Sequence, residues 1–126
     1  MIAGPLATSS IWSDLPGPCA AEQSDATIRY DQLADRWILT RPTLGKEAPY
    51  QLCVAVSATG DPTGAWYRYS FPYSFFPDYP KLAVWPDAYY TTFNMFAGGT
   101  TFSGGRVCAY DRTVMLAGTA ATQQCK

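Results

Sequence analysis

The chain has 126 residues, 48% hydrophobic and 15% aromatic, which fits one globular domain and excludes a disordered segment or a coiled coil. Nine basic residues against ten acidic ones give a net charge of -1, and the basic residues stand singly, so neither nucleic acid nor an anionic membrane is expected as a partner. There is no histidine, which removes Ser-His-Asp and Cys-His catalysis and the common zinc sites; no metal and no cofactor is expected.

The opening MIAGPLATSSIWSDLPGPC has no Lys or Arg near its start, and Pro5 and hydroxyl residues break its apolar stretch, so no signal peptide is recognisable. Ile2 to Trp12 reads as a strand, with a loop through Leu15 to Pro18 leading into Cys19. Thr27–Tyr30 and Trp37–Thr40 alternate as two strands across the turn Asp31–Arg36 and read as a hairpin. Leu52–Ser57 and Ala65–Phe71 follow as a third and a fourth strand, joined by Ala58–Gly64, and the four make one antiparallel meander. Pro72–Pro80 is an aromatic, proline-rich connector that neither a helix nor a central strand would tolerate.

A second unit begins with Lys81–Trp85, the turn Pro86-Asp87, and Ala88–Phe93. The Gly/Thr/Ser-rich segment Ala97–Gly105 reads as a loop without the Lys-Ser/Thr of a phosphate cradle, and Arg106–Tyr110 as a strand. Asp111 can then cap a short helical turn, Arg112–Leu116, that stops at Gly118. Ala88–Gly105 is free of charge but too polar to span a bilayer. The fold class is therefore all-β, with one domain over 1–126 divided into an N-terminal strand and loop (1–26), a first meander (27–71) and a second unit (72–126). IRYDQLADRWILT and LAVWPDAYYTTF echo each other at a spacing near 50 residues, in the range of propeller blades.

Cys19, Cys53, Cys108 and Cys125 lack the paired spacing of a zinc site and allow two disulfides in any of three connectivities. The favoured pairing is Cys19–Cys53 with Cys108–Cys125, because the second would tie down the terminal tail. Disulfides imply an oxidising, extracellular or periplasmic setting.

YDQLADRWILT, CVAVSATGDPTGAWYRYSF, DYPKLAVWPDAYYTTFN and VCAYDRTVMLAG resemble consecutive blades of a β-propeller region of large secreted bacterial proteins of uncertain activity, from Ile11 to Cys125. The resemblance implies blade-like meanders and a secreted ancestry, and it brings no catalytic residues. Thr59–Trp66 is also similar to the Asp-box turn of sialidase-like propellers, with its Gly displaced by one position; this gives Asp61, Gly64 and Trp66 a structural role.

Asp31, Asp35, Asp61, Asp78, Asp87 and Asp111 are the acids from which a glycosidase would draw its carboxylate pair. Each lies in or beside a turn, where bonding to the local backbone accounts for it, so no catalytic residue is assigned. Arg36 with Asp31 is the expected ion pair. The aromatic residues are the sharper feature. Trp66, Tyr67, Tyr69, Tyr79, Trp85, Tyr89 and Tyr90 are the candidates for a ligand-stacking surface, with core packing as the competing role. Alternation sets Trp66 with Arg68 on one face and Tyr67 with Tyr69 on the other. Two blades cannot close a ring, so copies of the chain are expected to associate through blade faces or edges. The expected function is a non-catalytic binding or interaction module, directed at carbohydrate; the alternatives are a structural propeller fragment and a carboxylate glycosidase.

Overall fold

The computed structural model describes residues 8–21, 26–43 and 50–126. Among these, two four-stranded antiparallel sheets follow one another in chain order. The first runs β1 (Thr27–Asp31), β2 (Arg36–Pro42), β3 (Tyr50–Ser57) and β4 (Trp66–Tyr73). The second runs β5 (Phe76–Val84), β6 (Tyr89–Ala97), β7 (Thr101–Tyr110) and β8 (Gln123–Cys125), with the helix α1 (Arg112–Ala117) between β7 and β8.

Turn chemistry enforces this order. Asp31 Oδ1 accepts the backbone N–H groups of Leu33 and Ala34 at 3.0 and 3.2 Å, folding β1 back onto β2. Gly98 and Gly99 take φ of 61° and 78°, which closes β6 onto β7 in three residues and keeps Thr101 paired with Ala97. Gly118 ends α1 in the left-handed conformation, φ 75°, with the Thr119 N–H donating to Val114 O.

Alternation decides which residues face inward. Along β6, Tyr89, Thr91, Phe93 and Met95 are buried, and the residues between them are not. These inward groups join Leu82, Cys108 and Tyr110 of the second sheet and Met115 of α1. They meet Ile38, Leu52, Val54, Val56 and Phe71 of the first sheet, so the apolar faces of the two meanders bury each other in one core. Strand β3 is covered on both sides: Trp12 and Cys19 pack with Leu39, Cys53 and Ala55 on its other face. There Trp12 Nε1 donates to Val54 O at 3.2 Å, and the buried Arg41 donates to Cys19 O at 2.6 Å and Ala21 O at 2.9 Å, its guanidinium 4.9 Å from the Trp12 ring centroid.

Both disulfides pair as favoured. Cys19–Cys53 stitches the N-terminal arm to β3, and Cys108–Cys125 joins β7 to β8. They close 34 and 17 residues of chain, which the loop-entropy relation makes worth about 4 and about 3 kcal/mol. Two disulfides fit an oxidising environment. Among the described residues no helix is long and apolar enough to cross a membrane.

Four local expectations are corrected. The strand expected over residues 2–12 has its first part outside the described residues, and Thr8–Trp12 is a turn of 3-10 helix, which drops Trp12 into the cluster over β3. The connector expected over Pro72–Pro80 shrinks to two residues: Pro72 and Tyr73 end β4 and Phe76–Pro80 begins β5, both edge strands, where proline fits because one side of the strand has no ladder to complete. Most of the Gly-rich segment is strand as well, since Thr101–Gly105 begins β7. Asp111 occupies the N-cap position without a side-chain cap bond; its carbonyl accepts the Met115 N–H at 3.2 Å.

Candidate functional site

The sequence around Tyr79 breaks the regularity of β5. Asp78 pairs with Asn94 and Lys81 with Thr92, so three steps along β5 face two along β6, and the extra residue forms a bulge. Within it Tyr79 has φ 52°, one of two non-glycine residues at positive φ among those described. The following Pro80 narrows the backbone space of Tyr79 further. Such a conformation costs about 1–3 kcal/mol and persists only where its surroundings hold it. The bulge buries Pro80 and leaves the Tyr79 side chain 65% exposed.

Tyr79 stands between two grooves. One, of about 520 Å³, crosses the outer face of the second sheet and is lined by Tyr79, Lys81, Thr92, Asn94, Arg106 and Lys126, with Gly105 and Val107 among its other walls. The second, of about 560 Å³, runs between the edges of β1 and β5 and includes Arg29, Asp78, Tyr79 and Lys81. Lys81 Nζ lies 5.0 Å from the Tyr79 ring centroid, which places a charge beside an exposed aromatic face. Gly105 is the register partner of Asn94, and a Cβ there would meet nothing closer than Phe93 O at 3.8 Å. Its missing side chain is what opens the groove floor.

The other aromatic candidates are mostly committed elsewhere. Tyr89 is fully buried and donates to Asp31 Oδ2 at 2.7 Å; burial and that carboxylate both push its phenol up. Tyr69 donates to Thr119 O at 2.9 Å, and its phenol is raised by burial. Tyr67 lies against Gly118, where a Cβ would meet its ring at 2.6 Å. Trp66 packs beside the N-terminal cluster, on the face where Arg68 pairs with Asp14. Its Nε1 donates to Pro62 O at 3.0 Å, while Asp61 Oδ1 accepts the N–H and hydroxyl of Thr63 at 2.9 and 2.6 Å, so the Asp61–Trp66 turn is held internally. The Thr63 bonds hold the Asp61 carboxyl below its ordinary value. Gly64 donates its N–H to Asp61 O in the same turn. Tyr90 donates to Asp87 Oδ2 at 2.8 Å, which raises its phenol. Trp85 is 65% exposed, but it lies at the β5–β6 turn beside Tyr30 and Leu33, away from the Tyr79 grooves.

The expected Arg36–Asp31 pair is replaced by another. Arg36 stands opposite Asp31 in register, yet its guanidinium donates to Ser57 O and Leu116 O at 3.3 and 3.1 Å. Asp31 instead binds Arg112, Nε to Oδ2 at 2.9 Å, because its side chain points into the space between the sheets and α1 brings a cation there. Burial alone would raise the Asp31 carboxyl; the hydrogen bonds from Arg112 and Tyr89 outweigh it and hold the group below the usual carboxylate range. Asp35 accepts the Tyr30 hydroxyl at 2.6 Å. Of the six aspartates weighed as acids, Asp78 is the one that lines a groove with Tyr79.

The sequence pointed to Tyr79, and to Gly105 only as the end of the Ala97–Gly105 segment, and missed Lys81, Thr92, Asn94 and Lys126. The period-two alternation of Tyr90, Thr92 and Asn94 was a usable signal for a polar outer face on β6. Lys126 carried none, because its place depends on β8 pairing with β7. Compared with models of protein families, with characterised proteins and with solved structures, the chain has no match.

Proposed function

We propose that the chain is a non-catalytic, extracellular binding module that holds a glycan against Tyr79 on the outer face of the second sheet. The observation that carries this reading is the exposed Tyr79 ring, set out by a bulge at positive φ between two grooves of mixed lining. A tyrosine ring offers the flat apolar face that sugar C–H groups stack on, and Asn94, Thr92 and Asp78 supply donors and acceptors around it. Two four-stranded meanders in chain order agree with blade-like units of secreted ancestry, and the two disulfides suit that setting. A glycan array with the native chain and Tyr79→Ala tests the reading. Retention of at least one saccharide by the native chain and its loss by the variant are expected; equal signals from both, or none from either, overturn it.

A second reading, self-association through the β1 edge, is favoured by Ile28, Tyr30, Leu33 and Trp85, exposed between 44% and 65% at that side of the molecule. An unguarded edge strand can pair with its own copy about a two-fold axis. Sedimentation at micromolar concentration is expected to show a dimer that Ile28→Lys converts to monomer. A monomeric native chain rejects this reading and leaves the glycan reading untouched.

A further inference from the structure

The outer face of the second sheet carries an ordered row of side chains. Lys81 pairs with Thr92, Thr92 with Val107, and Val107 exchanges both backbone hydrogen bonds with Lys126, at 3.1 and 2.8 Å. The row thus crosses four adjacent chain segments and ends in a lysine on each side. With strands about 4.8 Å apart, the two lysine Cα atoms are separated by about 14 Å, the reach of a short oligosaccharide and not of a single ring. Lys81 and Lys126 thus place two cations on one surface depression, which Arg106 borders from the inward side as the register partner of Phe93. No acidic side chain is among those lining this groove; Asp78, the register partner of Asn94, lies in the neighbouring groove on the other side of Tyr79. Lys81 sits beside the Tyr79 ring, so charge and stacking face are presented together.

We infer that the glycan bound here is anionic, a short oligosaccharide carrying carboxylate or sulfate groups, with Lys81 and Lys126 as its specificity-determining residues. This rests on the glycan reading above and adds the ligand's chemical class. Two cations at the ends of a groove raise the local concentration of anions and pair with them at close range, whereas a neutral sugar gains nothing from that field. Gly105, paired with Asn94 in the next row of the same face, leaves room for a ring beside the two charges.

Calorimetric titration of the full chain with α-1,4-linked trigalacturonate, a sulfated galactotriose, neutral galactotriose of the same linkage and inorganic sulfate tests the inference. At least one acidic trisaccharide is expected to bind at least about tenfold tighter than the neutral one, weakening as salt rises. Whichever acidic arm wins identifies the carboxylate or the sulfate as the anionic group. Lys81→Gln with Lys126→Gln is expected to weaken the acidic ligand by about tenfold or more while the thermal midpoint holds. Gly105→Leu, which fills the floor without touching the core, is expected to abolish binding of the saccharide. Equal affinity for neutral and acidic trisaccharides, or acidic binding indifferent to the lysine changes, overturns the inference and leaves the glycan reading standing. Binding of inorganic sulfate as tight as that of the saccharides overturns it as well. Failure of every saccharide to bind overturns both.

Discussion

Asp31 and Arg112 stand 81 residues apart in the chain and meet through Nε and Oδ2 at 2.9 Å. The carboxylate is fully buried, and it also accepts the Tyr89 hydroxyl and two backbone N–H groups of its own turn. Arg112 in turn donates to Pro86 O at 3.1 Å. The pair therefore ties the β1–β2 turn, β6, the β5–β6 turn and α1 together.

Stability is expected to fall in acid through this group. The folded carboxyl lies below its ordinary value, so its contribution is fully present above the unfolded value near 4 and is lost as pH falls through the folded one. Denaturation by urea across pH 7 to 2 should show this loss, and Asp31→Asn should flatten it. Asp31→Ala leaves the Arg112 guanidinium without its carboxylate and is expected to cost about 3 kcal/mol or more at pH 7. An Asp31→Ala chain as stable as the native one would show that the network is dispensable.

Alkaline stability is expected to depend on Tyr73 and Tyr110, whose hydroxyls bond to each other inside the core. Burial raises the Tyr73 phenol to about 12 and pushes Tyr110 higher still. A phenol raised in the folded state contributes stability that is whole below the unfolded value near 10 and is lost as pH rises toward about 12. Absorbance titration of tyrosine ionisation, run beside circular dichroism, should show these two phenols ionising together with unfolding. Tyr73→Phe should remove part of the alkaline loss while costing about 1 kcal/mol at neutral pH.

Gly118→Ala is expected to destabilise the chain well beyond the cost of a left-handed alanine. The position has φ 75°, and the new methyl would meet the Tyr67 ring at 2.6 Å. Backbone strain of about 1 kcal/mol would be joined by displacement of that ring, for a total of roughly 2–3 kcal/mol. Thermal unfolding measures it, and Gly118→Ala with Tyr67→Ala should recover the steric part.

Much of the sheet order was legible because its signals are local. Asp31, Pro62 and Gly118 mark turns through their own backbone chemistry, and alternation along Trp66–Phe71 and Tyr89–Phe93 assigns faces without reference to any partner. The errors fell where a tertiary contact overrides the local signal. Thr8–Trp12 has strand-like composition, but burying Trp12 over β3 curls it into a 3-10 turn. Phe76–Pro80 is full of strand breakers, and an edge position with a bulge accommodates them.

The candidate site divides along the same line. Tyr79 was in view as an aromatic residue, but nothing local distinguished it from Tyr89, which is buried against Asp31, or from Tyr69, bound to Thr119.

By itself the sequence determined most strands of the two meanders, their order and the alternation of their faces, since each follows from neighbours a few residues apart, and it left three cysteine connectivities open. Only the tertiary structure decided which acid meets which base, which aromatic ring stays open, and that Lys81 and Lys126 share one row. Those outcomes depend on β8 closing onto β7 and on one sheet covering the other. They bring together residues whose separation in the chain carries no record of their distance in space.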